Sequence, residues 1–177
     1  GAAAGPPWRG KKVHVDLDQA NGKNSVHQPS AEASKLHFVG AQLAYQQTFD
    51  GSGFELSGAM VFDDDALRMV EAKYPGIKVQ QCRVESLLDT ARSSAHIDEL
   101  VKFVQRHVDD HGRVLFVEKA YSTSLFPGAY LLAAFCAVKR GIAVAETLNT
   151  LGHSVGKDFS KSNLKPVVSA YVEAASA

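Results

Sequence analysis

The sequence predicts an α/β domain: a central, mostly parallel sheet flanked by helices, with a helical C-terminal half. Three observations carry this. "RVLFV" at 113–117 is a continuous apolar run, the pattern of a strand buried on both faces in a parallel sheet. Ile97, Leu100, Val101, Val104 and Val108 recur at i, i+3, i+4, i+7 and i+11, which places them on one face of a helix. Strand-like and helix-like segments alternate up to that apolar run, and only helix-like segments follow it.

Residues 1–35 form a polar arm rich in Gly, Pro, Asn, Gln and Ser, with too little apolar content to order on its own. Within it "KKVHVDLD" alternates through Val13, Val15 and Leu17, the pattern of a short edge strand able to extend a sheet. Trp8, an aromatic in a polar arm, suits an anchor on a neighbouring surface. Trp8, Val13 and Val15 are therefore the expected partner contacts, and the arm is expected to lie on another protein chain.

Residues 36–177 read as the folded domain. "KLHFVGAQLAY" is strand-like. "ELSGAMVFDDDALRMVEAKYPG" reads as a strand, an Asp cap, a short helix through Leu67 and Val70, and a stop at Pro75. "IKVQQCRVES" predicts another strand. "SSAHIDELVKFVQRHVDDHG" is the clearest helix, with Ser94 as cap, acids in the first turn and Gly112 as the stop. After "RVLFV" come a helix from Pro127 to Arg140, one around Val144, Leu148 and Leu151, and a last one through Leu164, Val167, Val168 and Tyr171.

Composition narrows the function. Lys plus Arg equal Asp plus Glu at 19 each, giving zero formal net charge, which argues against a nucleic-acid or anionic-membrane surface. No apolar run reaches the ~20 residues of a membrane span, so no direct membrane insertion is expected. Two cysteines, Cys82 and Cys136, are too few for a disulfide framework or a cysteine zinc site. Their apolar surroundings predict buried free thiols in a reducing intracellular compartment, mitochondrion or cytoplasm. The opening "GAAAGPPW", without methionine, fits a removed targeting segment or a tag scar.

Several motifs have a structural role that competes with a functional one. His107 and His111 stand at i and i+4, a chelating spacing, but histidines near a helix C-terminus also suit the macrodipole. Asp63, Asp64 and Asp65 follow a strand, as metal-binding acids do, but they also open a helix, where acids cap. "DLDQANG" has its glycine one place late for a calcium loop. No Walker loop, dinucleotide fingerprint or serine elbow is present, so no cofactor and no metal are expected.

The order helix, "GRVLFV", loop, "AYLLAAFCAVKRG", "AVAETLNTLG" resembles the cysteine-dependent dual-specificity and tyrosine phosphatases across roughly residues 36–172. In that family a buried strand runs into His-Cys, five loop residues, Arg and Ser/Thr, then a helix with an Ala-Tyr-Leu-Met-like stretch. Upstream, "GAMVFDDDALRMVEAKYPGIKVQQCRVESLLDT" is similar to the family's strand–helix–strand and the loop bearing its general acid, here Asp89. The resemblance implies a dual-specificity-phosphatase-like fold. The signature itself is absent. The simplest register puts Val117 at the histidine, Glu118 at the cysteine, Ser124 at the arginine and Leu125 at the hydroxyl residue. A slip of two puts Phe116 at the cysteine and Ser122 at the arginine.

The family reaction needs a low-pKa thiolate to attack phosphorus and a guanidinium fork to hold the phosphate oxygens. Here a carboxylate would stand where the dianion sits, and Asp89 would be an acid with no nucleophile to serve. The resemblance thus implies a degenerate, non-catalytic member: a pseudophosphatase acting as a structural or adaptor subunit, with partner chains held through the arm. Two alternatives remain open at this point. Lys119, Ser122, Thr123 and Ser124, crowding a helix N-terminus beside Glu118, could bind a phosphorylated partner without cleaving it. Alternatively, Glu118 and Asp89 could form the acid/base pair of a carboxylate-based hydrolase.

Overall fold

Six strands form one mixed sheet, and the order in which they lie decides where any site can be. The protein is described by a computed structural model covering residues 12–16, 25–27, 42–48, 56–110, 113–119, 125–155 and 158–176. The strands are β1 (Lys12–Asp16), β2 (Ser25–His27), β3 (Gln42–Thr48), β4 (Leu56–Val61), β5 (Lys78–Gln81) and β6 (Arg113–Lys119). They lie in the order β2-β1-β3-β6-β4-β5. The block β6-β4-β5 is parallel throughout. β3 joins β6 antiparallel, then carries β1 parallel to itself and β2 antiparallel to β1.

The apolar run at 113–117 becomes the central strand β6 for the reason its composition implies. Val114 and Phe116 face one core and Leu115 and Val117 the other, and all four are buried. A strand apolar on both faces needs cover on both. The helices supply it: α1 (Asp64–Lys73), α2 (Val84–Leu88), α3 (Ser93–Asp109), α4 (Pro127–Arg140), α5 (Val144–Val155) and α6 (Leu164–Ala175). α1 covers one face, packing Ala66 and Val70 against Ala59, Val61, Leu115 and Val117. α3 to α6 cover the other, with Ile97, Leu100, Tyr130, Leu131, Leu151 and Val168 in one continuous core.

α4 is the centre of this thicker layer. Every residue from Pro127 to Cys136 is buried, so the helix is apolar all round and has no solvent face over that stretch. Its one buried hydroxyl has a partner, since Tyr130 donates from Oη to the Phe159 carbonyl at 2.6 Å. Gly141, at φ 68, closes the helix in the left-handed conformation that glycine adopts without a Cβ penalty.

The helices and the central strand fall where the sequence pattern puts them, and several local expectations do not hold. Only Lys78–Gln81 of "IKVQQCRVES" is strand; Val84–Leu88 forms the short helix α2, which buries Leu87. A short strand at the sheet margin leaves the following residues free to coil inward, and Cys82 and Leu87 take the core positions. Ser94 does not cap α3. That helix begins at Ser93 after Arg92, with no side-chain cap and no acid in its first turn. Asp98 and Glu99 sit in the second turn instead, and the C-cap is Asp110 rather than Gly112, which lies outside the described residues. The strand expected within 35–45 is Gln42–Thr48, residues 35–41 being outside the described ones.

The described part of the arm joins this chain's own sheet. Val13 registers with Tyr45 and Val15 with Gln47, and the other side of β1 is taken by β2. This departs from the expectation that the arm lies on a neighbouring chain. The physical reason is that β3 offers an open row of N–H and C=O groups, which an alternating strand on the same chain satisfies. Trp8 lies outside the described residues.

Candidate functional site

β4, β5 and β6 end on the same side of the sheet, and the chain leaves β4 and β5 in opposite directions. From β4 it enters α1 on one face. From β5 it passes through α2 into α3 on the other. Outside the carboxyl ends of strands whose connections diverge in this way, α/β proteins leave a crevice. Here the crevice has a volume of about 620 Å³ and is bounded by Phe62 and Asp63 after β4, Cys82 and Arg83 after β5, and Leu125 from the segment after β6.

Its electrostatics are set by the strand ends. Asp63, Asp64, Asp65 and Glu85 face Arg68 and Arg83, so acids outnumber bases. Most of these acids are already engaged in the fold. Asp63 caps α1, its Oδ1 accepting from the Ala66 N–H at 2.8 Å. Asp64 accepts from Gln81 Nε2 at 3.0 Å, and Asp65 pairs with Arg68. The cap reading of the Asp63–Asp65 run is thus the one the structure gives. Among the described residues no group of three His, Cys, Asp or Glu side chains is arranged to hold a metal ion.

Glu118 is the decisive residue. It is the penultimate residue of β6, with its side chain fully inaccessible to solvent. Its Oε2 accepts the backbone N–H of Gly128, the second residue of α4. The first turn of a helix presents unpaired N–H groups and the positive end of the macrodipole, an anion site by construction. Here the occupant is the protein's own carboxylate. The chain enters α4 through Phe126, which adopts a left-handed backbone at φ 50. Phe126 is held there by ring contact with Phe159, centroids 4.8 Å apart. Ser162 fixes the same segment by donating to the Leu125 carbonyl at 2.6 Å.

Cys82, which borders the crevice, is not activated by this neighbourhood. Burial pushes its thiol pKa up, and the carboxylates of Glu85, Glu118 and Glu99 push it further. A protonated thiol is a poor nucleophile.

Of the sequence-predicted loop residues, Glu118 is placed at the helix N-terminus. Lys119 ends β6, and Ser122, Thr123 and Ser124 lie outside the described residues. Asp89 is not among the residues bounding the crevice. It follows α2, where its Oδ1 accepts from the Ala91 N–H at 3.0 Å and its Oδ2 lies 3.5 Å from Arg92 Nε. Neither Glu118 nor Asp89 is among the residues bounding this crevice.

His107 stands in the last turn of α3, where the spacing places it, and it is buried, with Nδ1 2.8 Å from Ser57 Oγ and its ring edge-on to Phe103. Its ring packs on the Cα of Gly58 in β4, where a Cβ would come within 2.7 Å of Nε2. A glycine inside a strand is the sequence signal for such a close approach, and "LSGAM" carried it. His111 lies outside the described residues.

The sequence matches no protein-family model and no curated protein. Among the described residues no helix is long and apolar enough to cross a membrane.

Proposed function

We propose that this chain is a phosphatase-like α/β domain that does no phosphatase chemistry and acts by binding other protein chains, as a structural or adaptor subunit. The observation that carries the reading is the Glu118 carboxylate seated on the N-terminus of α4. In the phosphatases that the sequence resembles, this is where a thiolate and a phosphate dianion meet. A second anion brought there would face an already buried negative charge. The arrangement of the sheet supports the same reading: the strand preceding the loop, β6, lies between β3 and β4, and the helix after the loop runs back under the sheet. The crevice's excess of carboxylates disfavours a phosphorylated ligand there. The burial of Glu118 against the Gly128 N–H, and the engagement of Asp89 with Ala91 and Arg92, disfavour a carboxylate-based hydrolase.

Incubation with an aryl phosphate tests the reading. The expected result is no release of phenol above a protein-free blank, together with elution of the chain in a complex when it is purified at native abundance. Turnover that persists through purification and is lost in Glu118→Gln overturns it.

A further inference from the structure

At the opposite end of the sheet from the crevice, a second and smaller cavity of about 290 Å³ opens between β5 and the C-terminal end of α3. Phe103 and His107 on α3, Lys78 and Gln80 on β5, and Arg106 and Asp110 on α3 line it. Lys78 and Arg106 are exposed side chains, and neither makes an ion pair among the described residues. His107 is nine-tenths buried, with only 8 % of its surface accessible, yet only its Nδ1 has a hydrogen-bond partner. Its Nε2, over Gly58, has none among the described residues.

We propose that this cavity is a binding site for a small anionic group, a phosphate ester or a carboxylate, held by Lys78, Arg106 and the Nε2–H of His107. Two unpaired cations converge on one cavity with a single opposing carboxylate, Asp110, so the lining is net positive before the imidazole is counted. Ser57 fixes the histidine. When its hydroxyl donates to Nδ1, the neutral ring carries its proton on Nε2 and offers a donor. When the ring is protonated, Ser57 accepts instead and the donor remains. Phe103 gives the cavity one apolar wall, which accommodates the carbon skeleton of the ligand.

The surroundings of His107 favour its neutral ring. Burial lowers its pKa from the usual value, and Lys78 and Arg106 lower it further, against an opposing pull from Asp110. An anion between Lys78, Arg106 and the ring would offset those two cations and favour the imidazolium. Proton uptake and anion binding are therefore coupled, and affinity rises as pH falls.

The test is a titration of the full chain with sodium sulfate and, separately, sodium acetate, followed through the His107 ring resonances. Sulfate keeps its charge across the working pH range, and acetate reports a carboxylate. The expected result is a saturable shift in the millimolar range, tighter at pH 6 than at pH 8, and weakened about tenfold in Lys78→Gln and in Arg106→Gln. Both substituted side chains are exposed, so both variants are expected to fold; their far-UV spectra and melting curves check this. Saturation by sulfate alone identifies a phosphate-type ligand, and saturation by acetate alone a carboxylate. Absence of a saturable shift with either, or a shift equal in wild type and both variants, overturns the proposal.

Discussion

Gly128 has no side chain because Glu118 has one. A Cβ on Gly128 would lie 2.7 Å from Glu118 Oε2, 3.2 Å from its Cδ and 3.3 Å from Phe62 Cε2. The same carboxylate oxygen accepts the Gly128 N–H. The strand end and the helix start are locked together through one glycine and one acid, ten residues apart.

Gly128→Ala should therefore destabilise the protein, although alanine is the better helix former. Propensity favours alanine by about 1 kcal/mol, whereas overpacking against a buried carboxylate costs about 1–3 kcal/mol. Urea denaturation should show a lower midpoint at unchanged slope. A raised midpoint would mean the carboxylate can swing aside, and that the cap is dispensable.

Glu118→Ala removes the acceptor and leaves a buried N–H and a void. An unsatisfied buried donor costs about 1–3 kcal/mol, and the lost packing adds to it. Adding sulfate to this variant should recover part of its melting temperature, because the helix N-terminus is then vacant for an external anion. Sulfate that stabilises wild type and variant equally would show that the vacated position takes no anion.

Gly58 and His107 form a second pair of the same kind. Gly58→Ala would place a methyl 2.7 Å from His107 Nε2, so the ring must leave its bond to Ser57 or β4 must shift. The expected cost is about 1–3 kcal/mol. His107→Ala in the same chain should remove much of that penalty. A double-mutant cycle with no coupling would rule out the contact.

The pH dependence of stability has a definite sign at His107. Its folded-state pKa lies below its ordinary value of 6.5, so the unfolded chain binds the proton more readily. Its contribution is complete above about pH 6.5 and is lost as pH falls through the depressed folded value. In buffers without sulfate or phosphate, the melting temperature should drop as pH is lowered from 7.5 to 5. His107→Gln should flatten that slope, and an identical slope in both proteins would remove His107 from the account.

Cys82 and Cys136 should react slowly with a thiol reagent in the native protein and fast in denaturant. Both are buried, at 2 % and 0 % exposure, and burial keeps the Cys82 thiol protonated. Fast native labelling of Cys82 would mean that the crevice opens more readily than its packing implies.

The sequence by itself determined the elements whose information is local. The run "RVLFV" predicted a strand covered on both sides, and the 3.6-residue repeat of Ile97, Leu100, Val101, Val104 and Val108 predicted a helix with one buried face; both are present. Pro127 marked the start of α4 because its backbone preference acts on a single residue. Glu118 was legible as the residue at the head of the loop. What it touches was not, because its partner is a backbone N–H whose position depends on how α4 docks under the sheet. The same holds for His107: spacing placed it on α3, and only the packing of α3 across β4 buried it over Gly58. Whether β1 pairs with β3 or with another chain was likewise undecidable from an alternating pattern that satisfies any open edge. Periodicity reports which face of an element is apolar, and it carries no term for what that face meets. Contacts between residues far apart in the chain are settled by docking geometry, and the candidate sites of this protein consist of such contacts.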